Sequence, residues 1–142
     1  MNERYTILIA DRNSHVRMFL MRELMTEGYR VQLAATAENV LKIVYAQRKI
    51  DLVILDPDLP GIEAGSMLEK LTDRIPVLPV VLHTHRQHDE PGLSITHPWV
   101  TVVEKAGDSV ERIKEIVGTL LSAFGRDVTA LRCDCNREGE WS

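Results

Sequence analysis

An α/β fold, with a parallel sheet covered by helices on both faces, is predicted by two features of this 142-residue sequence. Short apolar runs alternate with longer segments of helical periodicity. Several of the apolar runs also stop abruptly at an acid, a hydroxyl or a lysine. Parallel neighbours need a crossover connection of helical length, so this alternation favours a doubly covered sheet over hairpins.

The elements follow in order. Tyr5 to Ala10 is a short apolar run that ends at Asp11. Ser14 to Glu27 has helical spacing, with Val16, Leu20 and Leu24 along one side, and Gly28 supplies a stop. Arg30 to Ala34 reads as a second strand. Thr36 reads as the N-cap of a second helix, Ala37 to Gln47, that turns Val40, Leu41 and Val44 inward. Asp51 to Leu55 is the third strand and Gly65 to Thr72 a short helix. Val77 to His83, interrupted by Pro79, is the fourth strand, and Trp99 to Val103 the fifth. Ser109 to Phe124, capped by Asp108, closes the series as a strong helix, so residues 1–124 form one domain and 125–142 a C-terminal tail.

Composition narrows the function. With 44% hydrophobic and 27% charged residues the chain suits a single globular core. A net charge of −4 gives no electrostatic footprint for a phosphate backbone, so direct nucleic-acid binding is not expected. No apolar stretch has the length of a membrane helix, and MNERYTILIADRN lacks the order of a signal peptide, which points to a cytoplasmic protein without a membrane role. Cys133 and Cys135 are too few and too close together to be a disulfide framework.

In open parallel sheets, ligands bind beyond the carboxyl ends of the strands. The residues standing there are Asp11, Asp56, Thr84 and Lys105. Acids with a hydroxyl and an ammonium opposite suit a hard divalent cation together with an anionic oxygen cluster. Magnesium, which keeps several waters and takes carboxylate and phosphoryl oxygens, fits that description.

These four residues, in this order and at these spacings, resemble the receiver domain of two-component response regulators, over residues 5 to about 124. The resemblance implies a flavodoxin-like, doubly wound, five-stranded parallel sheet of order 2-1-3-4-5. It implies that Asp56, followed by Pro60, accepts a phosphoryl group from a histidine kinase or phosphotransfer protein. Lys105 would pair with the added charge and Thr84 would donate to a phosphoryl oxygen. Magnesium would be held by Asp11, Asp56 and the backbone carbonyl of Asp58.

The departures from the family pattern are specific. Receivers carry two adjacent acids after the first strand, whereas this chain has Asp11-Arg12, and an arginine cannot ligate magnesium. Metal binding is therefore expected to be weak. His85 stands where a small residue is usual, and is expected to crowd Asp56 and slow transfer. Arg86 and Asp58 occupy positions that flank the path of the attacking water and are expected to pair and shield the phosphoryl group. Val102 replaces the aromatic switch residue, and Lys105-Ala106 replaces Lys-Pro, so the aromatic-flip route to output is closed. Pro91-Gly92 and Pro98 break the segment where a fourth helix belongs, leaving it degenerate and its dimerisation surface remodelled.

Other motifs have plainer readings. His83, His85, His88 and His97 cluster around this segment, but a His-x-His pair gives only two ligands on one face, short of a zinc site. Cys133-Asp-Cys135 likewise lacks further ligands nearby and reads as a solvated thiol pair. On the first helix, Met18 and Met25 fall opposite the inward stripe and Met21 on its flank. Methionine adapts well to protein surfaces, and in receivers this helix is a common docking face for the kinase.

The expected function is thus a stand-alone phosphoacceptor receiver that signals by protein contact to a downstream protein and is not an enzyme beyond its own phosphorylation. Self-association into a homodimer stays open. The alternative is a pseudo-receiver, the same fold used as an interaction module without phosphorylation. A lesser alternative is a haloacid dehalogenase-like phosphatase, suggested by Asp56-x-Asp58; there the motif belongs on the first strand, and Pro60 stands where that family has threonine or valine.

Overall fold

The computed structural model describes residues 5–46, 49–61, 67, 70–71, 78–85 and 99–134, with the side chains of 123–134 left undescribed. Among these residues, five strands and three long helices follow in chain order: β1 (Thr6–Ala10), α1 (Ser14–Thr26), β2 (Arg30–Ala34), α2 (Ala37–Ala46), β3 (Leu52–Leu55), β4 (Val80–Thr84), β5 (Val100–Glu104) and α3 (Ser109–Asp134). Every pairing is parallel and the sheet order is β2-β1-β3-β4-β5, as the resemblance implies.

Side-chain alternation divides the core into two layers. Leu8, Ala10, Val53, Leu55, Val80 and Leu82 face one way and pack with Val40 and Val44 of α2. Ile7, Ile9, Leu52, Ile54, Val81 and Val103 face the other and pack with Leu20 and Leu24 of α1 and Ile113 and Val117 of α3. The three central strands are buried along their whole length, which is why they read as unbroken apolar runs.

Local chemistry sets the element ends. Asn13 caps α1, its side-chain oxygen accepting from the backbone N–H groups of His15 (2.8 Å) and Val16 (3.2 Å). Gly28, at φ 96°, ends the same helix. The N–H groups of Gly28 and Tyr29 donate back to Met25 and Leu24, a Schellman closure that favours glycine at this position. Thr36 caps α2 as expected, its hydroxyl accepting from Asn39 N–H at 3.2 Å. The Asp108 carbonyl accepts the bond from Arg112 that opens α3.

Some boundaries differ from the sequence expectation. β3 begins at Leu52, because the Asp51 carboxylate turns to accept Thr6 N–H at 2.8 Å. β4 runs Val80–Thr84 and not from Val77, which lies outside the described residues; Pro79 has no N–H for the ladder, though its carbonyl still accepts from Val53. β5 is correspondingly displaced to Val100–Glu104, pairing Thr84 with Glu104. α3 continues past Phe124 to Asp134, since Gly125 costs a helix only about 1 kcal/mol and no proline follows. Within the expected helix Gly65–Thr72, Met67, Lys70 and Leu71 are described and helical, with Met67 and Leu71 buried. The expected degenerate fourth helix and Gln47 lie outside the described residues.

Candidate functional site

Register brings the strand-end residues to one rim. Ala10 pairs with Leu55, and the Asp56 N–H donates to the Ala10 carbonyl at 2.8 Å, so Asp11 and Asp56 leave adjacent central strands at the same height. On the other side Lys105 N–H donates to the Thr84 carbonyl at 2.7 Å, extending the β4–β5 ladder by one bond. The order of strands thus sets acids in the centre of the rim and the hydroxyl and ammonium beside them.

Asp56 is 1% exposed, and its carboxylate sits among positive groups. Oδ1 accepts the backbone N–H of Asp58 at 2.9 Å, the turn closing on its own acid. Oδ2 lies 3.8 Å from Lys105 Nζ, 3.6 Å from Arg12 Nε and 3.4 Å from the Arg12 backbone nitrogen. Asp11 is equally buried. Its Oδ1 accepts from Asn13 N–H at 2.9 Å, while Oδ2 lies 2.9 Å from Lys105 Nζ. That last contact is an ion pair without hydrogen-bond geometry, so Oδ2 is compensated in charge yet accepts no directed bond. Arg17 donates to the Asp11 carbonyl at 2.7 Å and fixes the turn into α1.

Arg12 adopts the inward of the two directions open to it. Its side chain remains half exposed, but the guanidinium folds back over the rim and divides between Asp56 and Asp58, with Nη2 3.8 Å from the Asp58 carboxylate. The expected partner of Asp58, Arg86, lies outside the described residues; Arg12 makes its own contact with Asp58. Thr84 ends β4 fully buried. His85 follows it, exposed, in the wall of a cavity of about 430 Å³ that also touches His15, Phe19, Lys105 and Ser109. Val102 is only partly buried and packs against the α2-side core as an ordinary apolar residue.

His83 has a role that the sequence reading did not assign. Alternation along β4 turns it toward α1 and α3, where it is buried and its Nε2 lies 3.1 Å from Ser109 Oγ. Burial, then the Lys105 charge, push its pKa down from 6.5 to about 4, with the Asp56 carboxylate opposing and His85 adding to the fall. It is therefore a neutral ring tying β4 to the start of α3. The signal available in the sequence was its place inside an apolar strand, two residues from Val81 on the same face. His88, His97 and Cys135 lie outside the described residues, and Cys133 is known only as a helical position.

On α1, Met18 and Met25 are exposed as expected, at 46% and 56%, whereas Met21 is half buried against the core. Phe19, at 46%, joins the exposed group and was missed because it lies next to the inward Leu20.

Among the described residues no cluster of three or more His, Cys, Asp or Glu side chains converges as a metal site. Both oxygens of Asp11 and of Asp56 already face N–H groups or cations. Magnesium does not fit this arrangement unless Arg12 moves away.

A buried acid at the centre of a 2-1-3-4-5 sheet, flanked by a lysine and a threonine from the next two strands, defines a receiver module. The chain belongs to the response regulator receiver domain family of two-component signalling, whose model matches residues 7–116. It is 34% identical over 84 residues to the transcriptional regulatory protein AfsQ1 of Streptomyces coelicolor, an alignment covering 59% of this chain and 36% of that protein. Among solved structures it is similar to the response regulator TrrA of Thermotoga maritima in complex with Mg(2+)-BeF, at 28% identity and a TM-score of 0.69, covering 82% of this chain and 99% of that one. The structure of the T. maritima histidine kinase ThkA in complex with TrrA matches at 28% identity and a TM-score of 0.67, covering 82% and 98%. Among the described residues no helix is long and apolar enough to cross a membrane.

Proposed function

We propose that this receiver is phosphorylated on Asp56 by a histidine kinase or phosphotransfer protein and passes the signal on by protein contact. The observation that carries the reading is the setting of Asp56: a buried carboxylate at a strand end, facing Lys105 across 3.8 Å, beside the terminal Thr84 of β4. A carboxylate already facing fixed cations can attack phosphorus and remain compensated once the added phosphoryl charge arrives. Lys105 would stabilise that charge, and Thr84 would donate a hydrogen bond to it. Magnesium, which accompanies beryllofluoride in TrrA, would bind this chain only weakly through Asp11, Asp56 and the Asp58 carbonyl.

The exposed face of α1, with Met18, Phe19 and Met25, would receive the kinase, with Met21 at its margin. The complex of ThkA with TrrA supports a kinase as the class of partner.

Arg12 over Asp56 favours one second reading, a pseudo-receiver whose pocket is already neutralised and which binds partners without phosphorylation. No observation favours the phosphatase reading. Incubation with acetyl phosphate and magnesium, followed by intact-mass analysis, decides between the first two. One phosphoryl adduct, absent from Asp56→Asn, is expected. No adduct after long incubation would establish the pseudo-receiver.

A further inference from the structure

We infer that the Arg12 guanidinium takes the place of the divalent cation at this rim, so that phosphoryl acceptance by Asp56 does not depend on an added metal. The inference rests on the phosphoacceptor reading for its chemical step, but not for its statement about charge.

Three observations carry it. Arg12 follows Asp11 directly and its guanidinium spans two acids, with Nε 3.6 Å from Asp56 Oδ2 and Nη2 3.8 Å from Asp58 Oδ2. Lys105 approaches from the opposite side, 2.9 Å from Asp11 and 3.8 Å from Asp56, so the Asp56 carboxylate is held between two cationic side chains. The half exposure of Arg12 against the burial of Lys105 leaves the guanidinium free to move outward by a bond rotation without unpacking the core.

These positions fit the demands of phosphoryl transfer. An Asp56 carboxylate oxygen attacks phosphorus, forming the new P–O bond. The bond to the donor breaks, and its electron pair leaves with the donor, as acetate when acetyl phosphate is used. The phosphoryl oxygens bring additional negative charge to a place where, among the described residues, Arg12 and Lys105 face Asp56 as counter-charges. Guanidinium donors in a planar fork match phosphoryl oxygens in pairs, which an ammonium cannot do. Arg12 would thereby supply the positive charge that a divalent cation would otherwise supply beside Asp56.

Acetyl phosphate labelling in EDTA and in magnesium, together with magnesium titration by calorimetry, tests this on the whole chain. Native protein should give the Asp56 adduct in EDTA at a rate close to that in magnesium. Arg12→Ala should lose about tenfold or more in EDTA, the scale of one charge-assisted bond, and Arg12→Lys should recover part of the loss. Arg12→Asp should label only with magnesium and should show clear magnesium binding by calorimetry where native protein binds only weakly. Native labelling that requires magnesium, or native magnesium affinity equal to that of Arg12→Asp, would overturn the inference and leave the phosphoacceptor reading standing. If no protein forms an adduct in either medium, the phosphoacceptor reading fails and the calorimetry alone decides: clear binding confined to Arg12→Asp upholds the replacement of the cation, and equal binding overturns it.

Discussion

The two cations that face Asp56 are held in opposite ways. Lys105 leaves β5 with its side chain 8% exposed and points along the sheet into Asp11 and Asp56. Arg12 leaves β1 with its side chain 51% exposed and reaches back over the same acid from solvent. The lysine is part of the folded interior, and the arginine is a surface lever laid over it. One rim therefore separates two functions that charge can serve: compensating buried carboxylates within the fold, and answering charge that arrives later. Loss of the interior cation should affect stability and reactivity together, whereas changes on the exposed side should affect reactivity while leaving the fold nearly unaltered.

The largest effect is expected at Lys105. Lys105→Met removes the ammonium from between two carboxylates that are each 1% exposed. Breaking one side of a buried pair leaves an uncompensated charge, and a loss of about 3 kcal/mol follows. Urea denaturation should show a lower midpoint at unchanged slope. Labelling of Asp56 should fall as well. A midpoint like that of the native protein would mean that the fold does not depend on the buried ammonium, and the distinction between an interior and a surface cation would collapse.

The β4 end of the rim has a second interior group, His83, whose effect depends on pH. The unfolded ring takes a proton near 6.5 and the folded ring only near 4, so between these values the unfolded chain binds more protons. Stability is therefore undiminished by His83 above pH 6.5 and falls as pH drops toward 4, by at most about 3 kcal/mol. His83→Gln can still donate toward Ser109 but cannot titrate. It should show a shallower loss of stability over that window than the native chain, measured by urea midpoints at several pH values. Equal slopes would remove His83 from the interior set.

The contrast between interior and surface also explains what the sequence could disclose. Asp11, Asp56, Thr84 and Lys105 were legible because strand ends follow from apolar runs, and the order of strands places those ends together. The central strands were equally plain, being buried on both faces. The edges were less so: β5 is only partly buried over most of its length, and its start depends on the pairing with β4, whose own start depends on Pro79. His83 was read as one of a histidine group because type and spacing do not reveal that a ring inside a strand faces Ser109. The direction of Arg12 was undetermined for the same reason. Its sequence position permitted an outward or an inward guanidinium, and only the placement of Asp56 and Asp58 across the turn selects the inward one.

The smallest effect belongs to the outer contact of that guanidinium. Arg12 Nη2 and the Asp58 carboxylate stand 3.8 Å apart, with one side chain half exposed and the other more than a quarter exposed. An ion pair in that setting contributes roughly 0–1 kcal/mol, because water screens it and both chains must be ordered to make it. The Asp58 backbone N–H, which donates to Asp56 at 2.9 Å, is untouched by a side-chain change. Asp58→Asn should therefore leave the urea midpoint within experimental reach of the native value. Its consequence should appear in the chemistry: with Asp58 no longer drawing one arm of the fork, the guanidinium can turn wholly to Asp56 or to a phosphoryl group there. Labelling in EDTA should rise modestly, and a double-mutant cycle with Arg12→Ala should return a coupling under about 1 kcal/mol in stability. A coupling well above that range would show that the arginine is anchored in the fold much as the lysine is, and the exposed half of the rim would then be structural too.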